Sequence, residues 1–310
     1  MIEEGKMRGR LAGVYPILAT AFDEAGEIDE SSQRRLIDFL IDKGVHGLVL
    51  MANASEGHTL SDVERDRLAD ICFDQIQGRV PIIVTINHFS SKVASERARH
   101  AQSSGAAAVM SMPPFFGRWG AEEKMIIEYY RTISDQVDIP VMVQDHELSG
   151  IVMSAQFLAR LAGEIPKVEY FKIEVVGSPY KISEVLRLGD EDVLGVFGGA
   201  SGISLIEELD RGSCGTMPAC YMPRVFRRTY DLFMAGRKQE AREFFSRYLP
   251  LINFELHSAN RCLWKEILKS MGVIRSATIR STVPASWDEV TRRQLSELVE
   301  GLSISRERWG

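Results

Sequence analysis

Short apolar runs alternate with longer amphipathic segments along this chain, and the alternation repeats about eight times before its character changes. The runs are "GVYPILATA" (13–21), "HGLVLMA" (46–52), "PIIVTI" (81–86), "AAAVMSMP" (106–113), "PVMVQD" (140–145), "VEYFKIE" (168–174), "VLGVFGG" (193–199) and "CGTMPA" (214–219). Each is bounded by turn signals or by a change of period, which predicts strands. Between them lie helical patterns. "DESSQRRLIDFLIDKG" (29–44) opens on an Asp/Ser cap and closes on glycine, and "LSDVERDRLADICFDQIQG" (60–78) does the same. The strand runs are continuously apolar instead of alternating, as expected when both faces of a sheet are covered, and helix-bearing connections of this length suit parallel neighbours. Eight such units specify a (β/α)8 barrel, an α/β fold.

After residue 223 the pattern is purely helical, through 224–236, 238–257, 258–272 and 286–302. The first of these completes the barrel. The predicted organisation is therefore a barrel over 1–236 and a C-terminal helical extension over 237–310, with no low-complexity segment or linker between them.

Composition narrows the function. The 310 residues are 45% apolar and 26% charged, an ordinary globular balance. A net charge of −6 with scattered Lys and Arg gives no footprint for nucleic acid or anionic lipid, which leaves small-molecule chemistry. No run is long enough to span a bilayer, and the start has no apolar leader, so a soluble protein is expected. Cys72, Cys214, Cys220 and Cys262 form no CxxC pair, and the six histidines show no HExxH or HxH spacing. That pattern predicts neither a zinc site nor a disulfide framework, and it suits the cytoplasm.

Within "VEYFKIE" one lysine stands in an otherwise apolar strand. Side chains alternate faces along a strand, so Lys172 and Glu174 point one way while Phe171 and Ile173 point the other. The apolar pair suits the helix-covered outside. Lys172 and Glu174 are then expected inside the barrel near the C-terminal end of the sixth strand, where barrel enzymes place reacting groups. An enclosed lysine loses hydration of its charged form and is expected to become a neutral nucleophile able to form a Schiff base with a ketone. A buried salt bridge with Glu174 or Glu169 is the structural alternative, and alternation alone leaves both open. The segment "LVLMANASEGHTLSDVER" (48–65) ends the second strand with small hydrogen-bonding residues, a suitable cradle for a carboxylate or a plain turn ahead of a helix capped by Ser61.

Taken with "LMANASE", "GRVPIIVTINHFS", "VMSMPPFFG", "DIPVMVQD", "YFKIEVVG" and "LPLINFE", these residues make the chain resemble the dihydrodipicolinate synthase/N-acetylneuraminate lyase superfamily, and within it the L-2-keto-3-deoxyarabonate dehydratases. The resemblance runs from Gly13 to about Ile274. It implies a barrel with a helical extension, Lys172 as Schiff-base lysine, Asn53, Ala54 and Ser55 as the carboxylate-binding turn with Glu56 as its acidic neighbour, and a homo-oligomer, a tetramer. No cofactor or metal is expected, because the covalent imine is itself the electron sink.

The departures from the superfamily pattern shape the expected activity. Gln144 and Asp145 stand where the synthase and the neuraminate lyase carry a "YN" pair, "HELSG" (146–150) supplies no arginine, and Phe115 and Phe116 replace tyrosines near the fourth strand. These losses argue against dihydrodipicolinate synthesis and favour dehydration of a 2-keto-3-deoxy sugar acid. The expected groups are Lys172, Glu174 as base, and Gln144 and Asp145 at the end of the fifth strand, Asp145 or His146 passing a proton to the departing hydroxyl. Asn53, Ala54, Ser55 and Phe116 would hold the substrate, and Gly198 and Gly199 in "FGGASG" (197–202) would leave room for its tail. Two alternatives share the early chemistry or dispense with it: a class I aldolase or synthase-like enzyme releasing or condensing pyruvate, and a barrel that binds a 2-oxo acid without turnover.

Overall fold

A computed structural model describes residues 10–114, 122–258, 263–280 and 288–302. The substitution expected at Phe115 and Phe116 lies outside the described residues. Eight strands form one sheet: β1 (Gly13–Val14), β2 (Leu48–Leu50), β3 (Ile82–Thr85), β4 (Ala108–Ser111), β5 (Val141–His146), β6 (Val168–Glu174), β7 (Gly195–Gly198) and β8 (Gly215–Thr216). Their order is β1-β8-β7-β6-β5-β4-β3-β2, and the pairings from β3 to β8 are parallel. Helices α1 (Glu30–Asp42), α2 (Asp62–Ile76), α3 (Ser91–Ser103), α4 (Glu123–Ser134), α5 (Ala155–Glu164), α6 (Ser178–Gly189), α7 (Leu205–Asp210) and α8 (Pro223–Met234) follow the strands one by one. The fold is thus the (β/α)8 class with a C-terminal helical addition, α9 (Lys238–Ser246), α10 (Leu249–Asn253), α11 (Leu263–Ser270) and α12 (Glu289–Gly301).

Burial explains the continuous apolar runs. Every strand residue is buried except His146, Glu169 and Glu174, because helices cover one face and the packed interior the other. The helix starts fall where the caps predicted them: Asp29 accepts from the Ser32 N–H, and Ser61 and Glu64 form a reciprocal capping box. The strands are shorter than the apolar runs. Pro16 has no N–H to give a ladder, so β1 ends at Val14, and Ile17 makes only isolated parallel bridges to Val49 and Ala219. The helical run over 238–257 is likewise divided, with Pro250 in the first turn of α10 and a π-helical turn over Phe254–Ser258.

The chain forms two compact units. One holds Ile83–Gly199, Ser204–Met217 and the chain up to Gly13, and the other holds Val14–Ile82, Ala200–Ile203 and the chain from Pro218. Among the described residues no helix is long and apolar enough to cross a membrane.

Candidate active site

In the first unit, strand register decides which side chains meet. Gln144 of β5 lies opposite Lys172 of β6, which lies opposite Phe197 of β7, and His146 lies opposite Glu174. Period-two alternation puts Gln144, Lys172 and Glu174 on one face of the sheet. Lys172 is only 2% exposed, and its Nζ is 2.8 Å from Glu174 Oε2. Gln144 Nε2 donates to the same oxygen at 2.5 Å. The carboxylate only accepts, so the Gln144 amide nitrogen must face it, and the amide oxygen then points away. Among the described residues that buried oxygen accepts no hydrogen bond. The salt bridge expected as the alternative to a reactive amine is therefore present, with Glu174 and not Glu169 as partner. It does not exclude the chemistry, since a carboxylate in contact with an ammonium is also the nearest acceptor for its proton.

Asp145 is not brought together with that cluster. It is opposite Ile173, on the other face of the sheet, and is fully buried there. Its Oδ2 is 2.5 Å from Lys181 Nζ of α6, and its Oδ1 accepts from the Met153 N–H at 3.0 Å. Both oxygens are engaged away from the Lys172 face, and the contact with Lys181 ties β5 to α6. His146 accepts from the Leu148 N–H through Nδ1 at 3.0 Å, which caps the following turn.

Gly198, the last residue of β7, and Gly199 after it are both closely approached. A β-carbon on Gly199 would collide with the Glu174 side chain, and one on Gly198 would collide with the carboxyl group of Glu208 on α7. Their bare α-carbons are seats for two glutamates. Glu208 is 1% exposed, its Oε1 accepts from the Ser178 hydroxyl at 2.7 Å, and its Oε2 has no partner among the described residues. Burial pushes its pKa up to about 7, with Ser178 opposing and the charge of Glu174 adding to the rise. Sequence reasoning passed over Glu208. The signal available was its place at helical spacing among Leu205, Ile206 and Leu209, a carboxyl on an apolar stripe.

Gly199→Ala gives a direct check of this packing. The added methyl must displace Glu174, and a displacement near 1 Å in a reacting constellation costs roughly 100-fold in rate. The expected result is a kcat lower by about that factor with a melting temperature changed by only a few degrees. An unchanged kcat would mean that the Glu174 position does not matter to turnover.

The second unit holds the turn expected to bind a carboxylate. Asn53–Ser55 forms one 3₁₀ turn that ends on Glu56 in the left-handed region, φ 58°. Ser55 is fully buried: its N–H donates to the Ala52 carbonyl at 3.0 Å, its hydroxyl oxygen accepts from the Ala52 N–H at 3.2 Å, and its carbonyl accepts from the Thr20 hydroxyl at 2.6 Å. Ser55 thus shapes the turn and has no N–H to offer an anion. Glu56 is consumed as well, paired in the interior with Lys265 of α11 and accepting from the Arg280 N–H at 2.7 Å. Lys265 also donates to the Thr278 carbonyl at 2.9 Å and lies over the Phe22 ring, 4.5 Å from its centre. Nothing in "LWKEILKS" marks a buried lysine, because the partner is 209 residues away.

Comparison with known proteins agrees with this architecture. The Dihydrodipicolinate synthetase family matches residues 10–301. L-2-keto-3-deoxyarabonate dehydratase of Azospirillum brasilense is 38% identical over 97% of this chain and 97% of its own. A 4-hydroxy-tetrahydrodipicolinate synthase of Syntrophus aciditrophicus (strain SB) is 29% identical over 94% of this chain and 98% of its own. Among solved structures, dihydrodipicolinate synthase from Rhodopseudomonas palustris superposes with a TM-score of 0.86 at 25% identity, covering 94% of this chain and 98% of that one.

Proposed function

We propose that this chain, which belongs to the dihydrodipicolinate synthetase family and is a lyase, dehydrates a 2-keto-3-deoxy sugar acid through a Schiff base on Lys172. The observation that carries the reading is the Lys172–Glu174–Gln144 cluster at the C-terminal end of β6, whose contacts at 2.8 and 2.5 Å involve no tyrosine.

The geometry supports the following sequence. The ammonium of Lys172 passes a proton to Glu174 across the 2.8 Å contact, and the neutral amine attacks C2 of the 2-oxo acid. The carbinolamine hydroxyl leaves as water with the proton held by Glu174, giving an iminium. Glu174, again a carboxylate, removes a proton from C3 to form an enamine. Expulsion of the C4 hydroxyl as water, taking up the proton that Glu174 removed from C3, gives a conjugated iminium and returns Glu174 to the carboxylate. Hydrolysis then releases the dehydrated acid and restores the lysine. Gln144 holds the Glu174 oxygen in place, and its free carbonyl oxygen is suited to accept from a substrate hydroxyl. The substrate carboxylate is assigned to Asn53 and Ala54 on the resemblance of residues 48–65, with Ser55 as the support of that turn.

An aldol reading is favoured by one observation, the synthase names borne by several relatives at 25–31% identity. Product analysis separates the two. With a panel of 2-keto-3-deoxy sugar acids, dehydration leaves all carbons in one product, and that is the expected outcome. Release of pyruvate together with an aldehyde would replace the dehydratase by an aldolase.

A further inference from the structure

We propose that Glu208 is a positioning residue for the reaction, a buried carboxylic acid that acts through Glu174 across the Gly198–Gly199 segment. The inference rests on the reading of Lys172 and Glu174 as the reacting groups. Its geometric basis is independent of that reading.

Consecutive residues of an extended chain face opposite ways, and here the α-carbon of Gly198 carries Glu208 on one side while that of Gly199 carries Glu174 on the other. The two carboxyl groups therefore clamp one short stretch of backbone that has no side chain of its own. Each side of Glu208 supplies a different group. Helix α6 gives the Ser178 hydroxyl, β7 gives only glycine, β6 gives the negative charge of Glu174, and α7 itself adds Glu207. On the outer face next to Gly198 lies Thr216 of β8, whose hydroxyl is also buried and unpartnered among the described residues. The Glu208 Oε2 atom meets the same fate. A bare carboxylate oxygen in that place would be far costlier than a protonated carboxyl, which carries no net charge.

The consequence is a division of labour between two glutamates. Below neutrality Glu208 keeps its proton, and the carboxylate that meets Lys172 among the described residues is that of Glu174. As pH rises through about 7, where burial and Glu174 have moved its ionisation, Glu208 becomes a second anion. That second charge repels the Glu174 carboxylate across the Gly198–Gly199 segment and moves it off the position from which it serves Lys172 and C3, which slows imine formation and proton removal.

The test uses the full chain labelled with carbon-13 at glutamate side-chain carboxyls, as wild type, Glu208→Gln, Glu174→Gln and Ser178→Ala. Wild type is expected to show a carboxyl resonance titrating near pH 7, absent from Glu208→Gln. Its midpoint should fall in Glu174→Gln and rise in Ser178→Ala, since one change removes a neighbouring charge and the other a donor to the ionised form. These readouts need no turnover, so they stand even where the lysine chemistry fails. In kinetics, wild-type kcat/KM should drop on the order of tenfold on the alkaline side of pH 7, and Glu208→Gln should lack that limb. No resonance titrating near 7, a midpoint indifferent to Glu174→Gln, or identical pH profiles for wild type and Glu208→Gln would each overturn the proposal.

Discussion

Lys172→Ala is expected to lower kcat/KM for the sugar-acid substrate by about 10⁴-fold or more, because the covalent electron sink is lost and no other group in the cluster can replace it. The double variant Lys172→Ala/Glu174→Gln should be no worse than the single one. Lys172 and Glu174 are 2.8 Å apart and pass a proton between them in the proposed path, and residues that work as one unit do not lose activity additively. Stability should move the other way. Removing the lysine alone strips Glu174 of the ammonium 2.8 Å away while Gln144 still donates to it, and the double variant removes that uncompensated charge and recovers part of the loss. Steady-state kinetics with thermal unfolding on the same proteins checks both. Multiplicative losses in activity would separate the two residues and remove Glu174 from the proton path.

The largest stability effect is expected in the second unit. Lys265 and Glu56 form an ion pair with side chains 0% and 1% exposed, and both carry further hydrogen bonds, to the Thr278 carbonyl and from the Arg280 N–H. Lys265→Met keeps much of the volume but strands a charged Glu56 in the interior, a change that costs about 3–5 kcal/mol. In a chain of this size the melting temperature should fall by roughly 5–10 °C. Lys265→Met/Glu56→Gln should restore several degrees, since the stranded charge is gone. Calorimetry of the three proteins distinguishes these outcomes, and a single variant as stable as wild type would show that the pair is solvated in solution.

Strand alternation is the reason so much of this molecule is legible in its sequence. Runs such as "PIIVTI" and "VLGVFGG" have to be buried on both faces, and eight of them separated by capped helices leave few arrangements other than the closed parallel sheet. The same period-two rule turned Lys172 and Glu174 to one side. Applied consistently it also forbids Gln144 and Asp145 from sharing a face, and the structure has Gln144 with the lysine and Asp145 with Lys181. Partners distant in sequence carried no local signal: Asp145 meets Lys181 across 36 residues, Glu208 meets Ser178 across 30, and Glu56 meets Lys265 across 209. The glycines of "FGGASG" were legible as places of close approach, but what approaches them is a pair of glutamates, which only the packing of α7 and β6 against β7 could reveal.

The central claim is that Lys172 makes a covalent bond to C2 of a 2-oxo acid, and reductive trapping tests it most directly. Wild-type protein incubated with pyruvate and borohydride should gain the mass of one reduced imine per chain, with the added mass on the peptide that contains Lys172. Lys172→Ala should gain none. An unmodified wild type, or an adduct of equal yield on Lys172→Ala, would contradict the account.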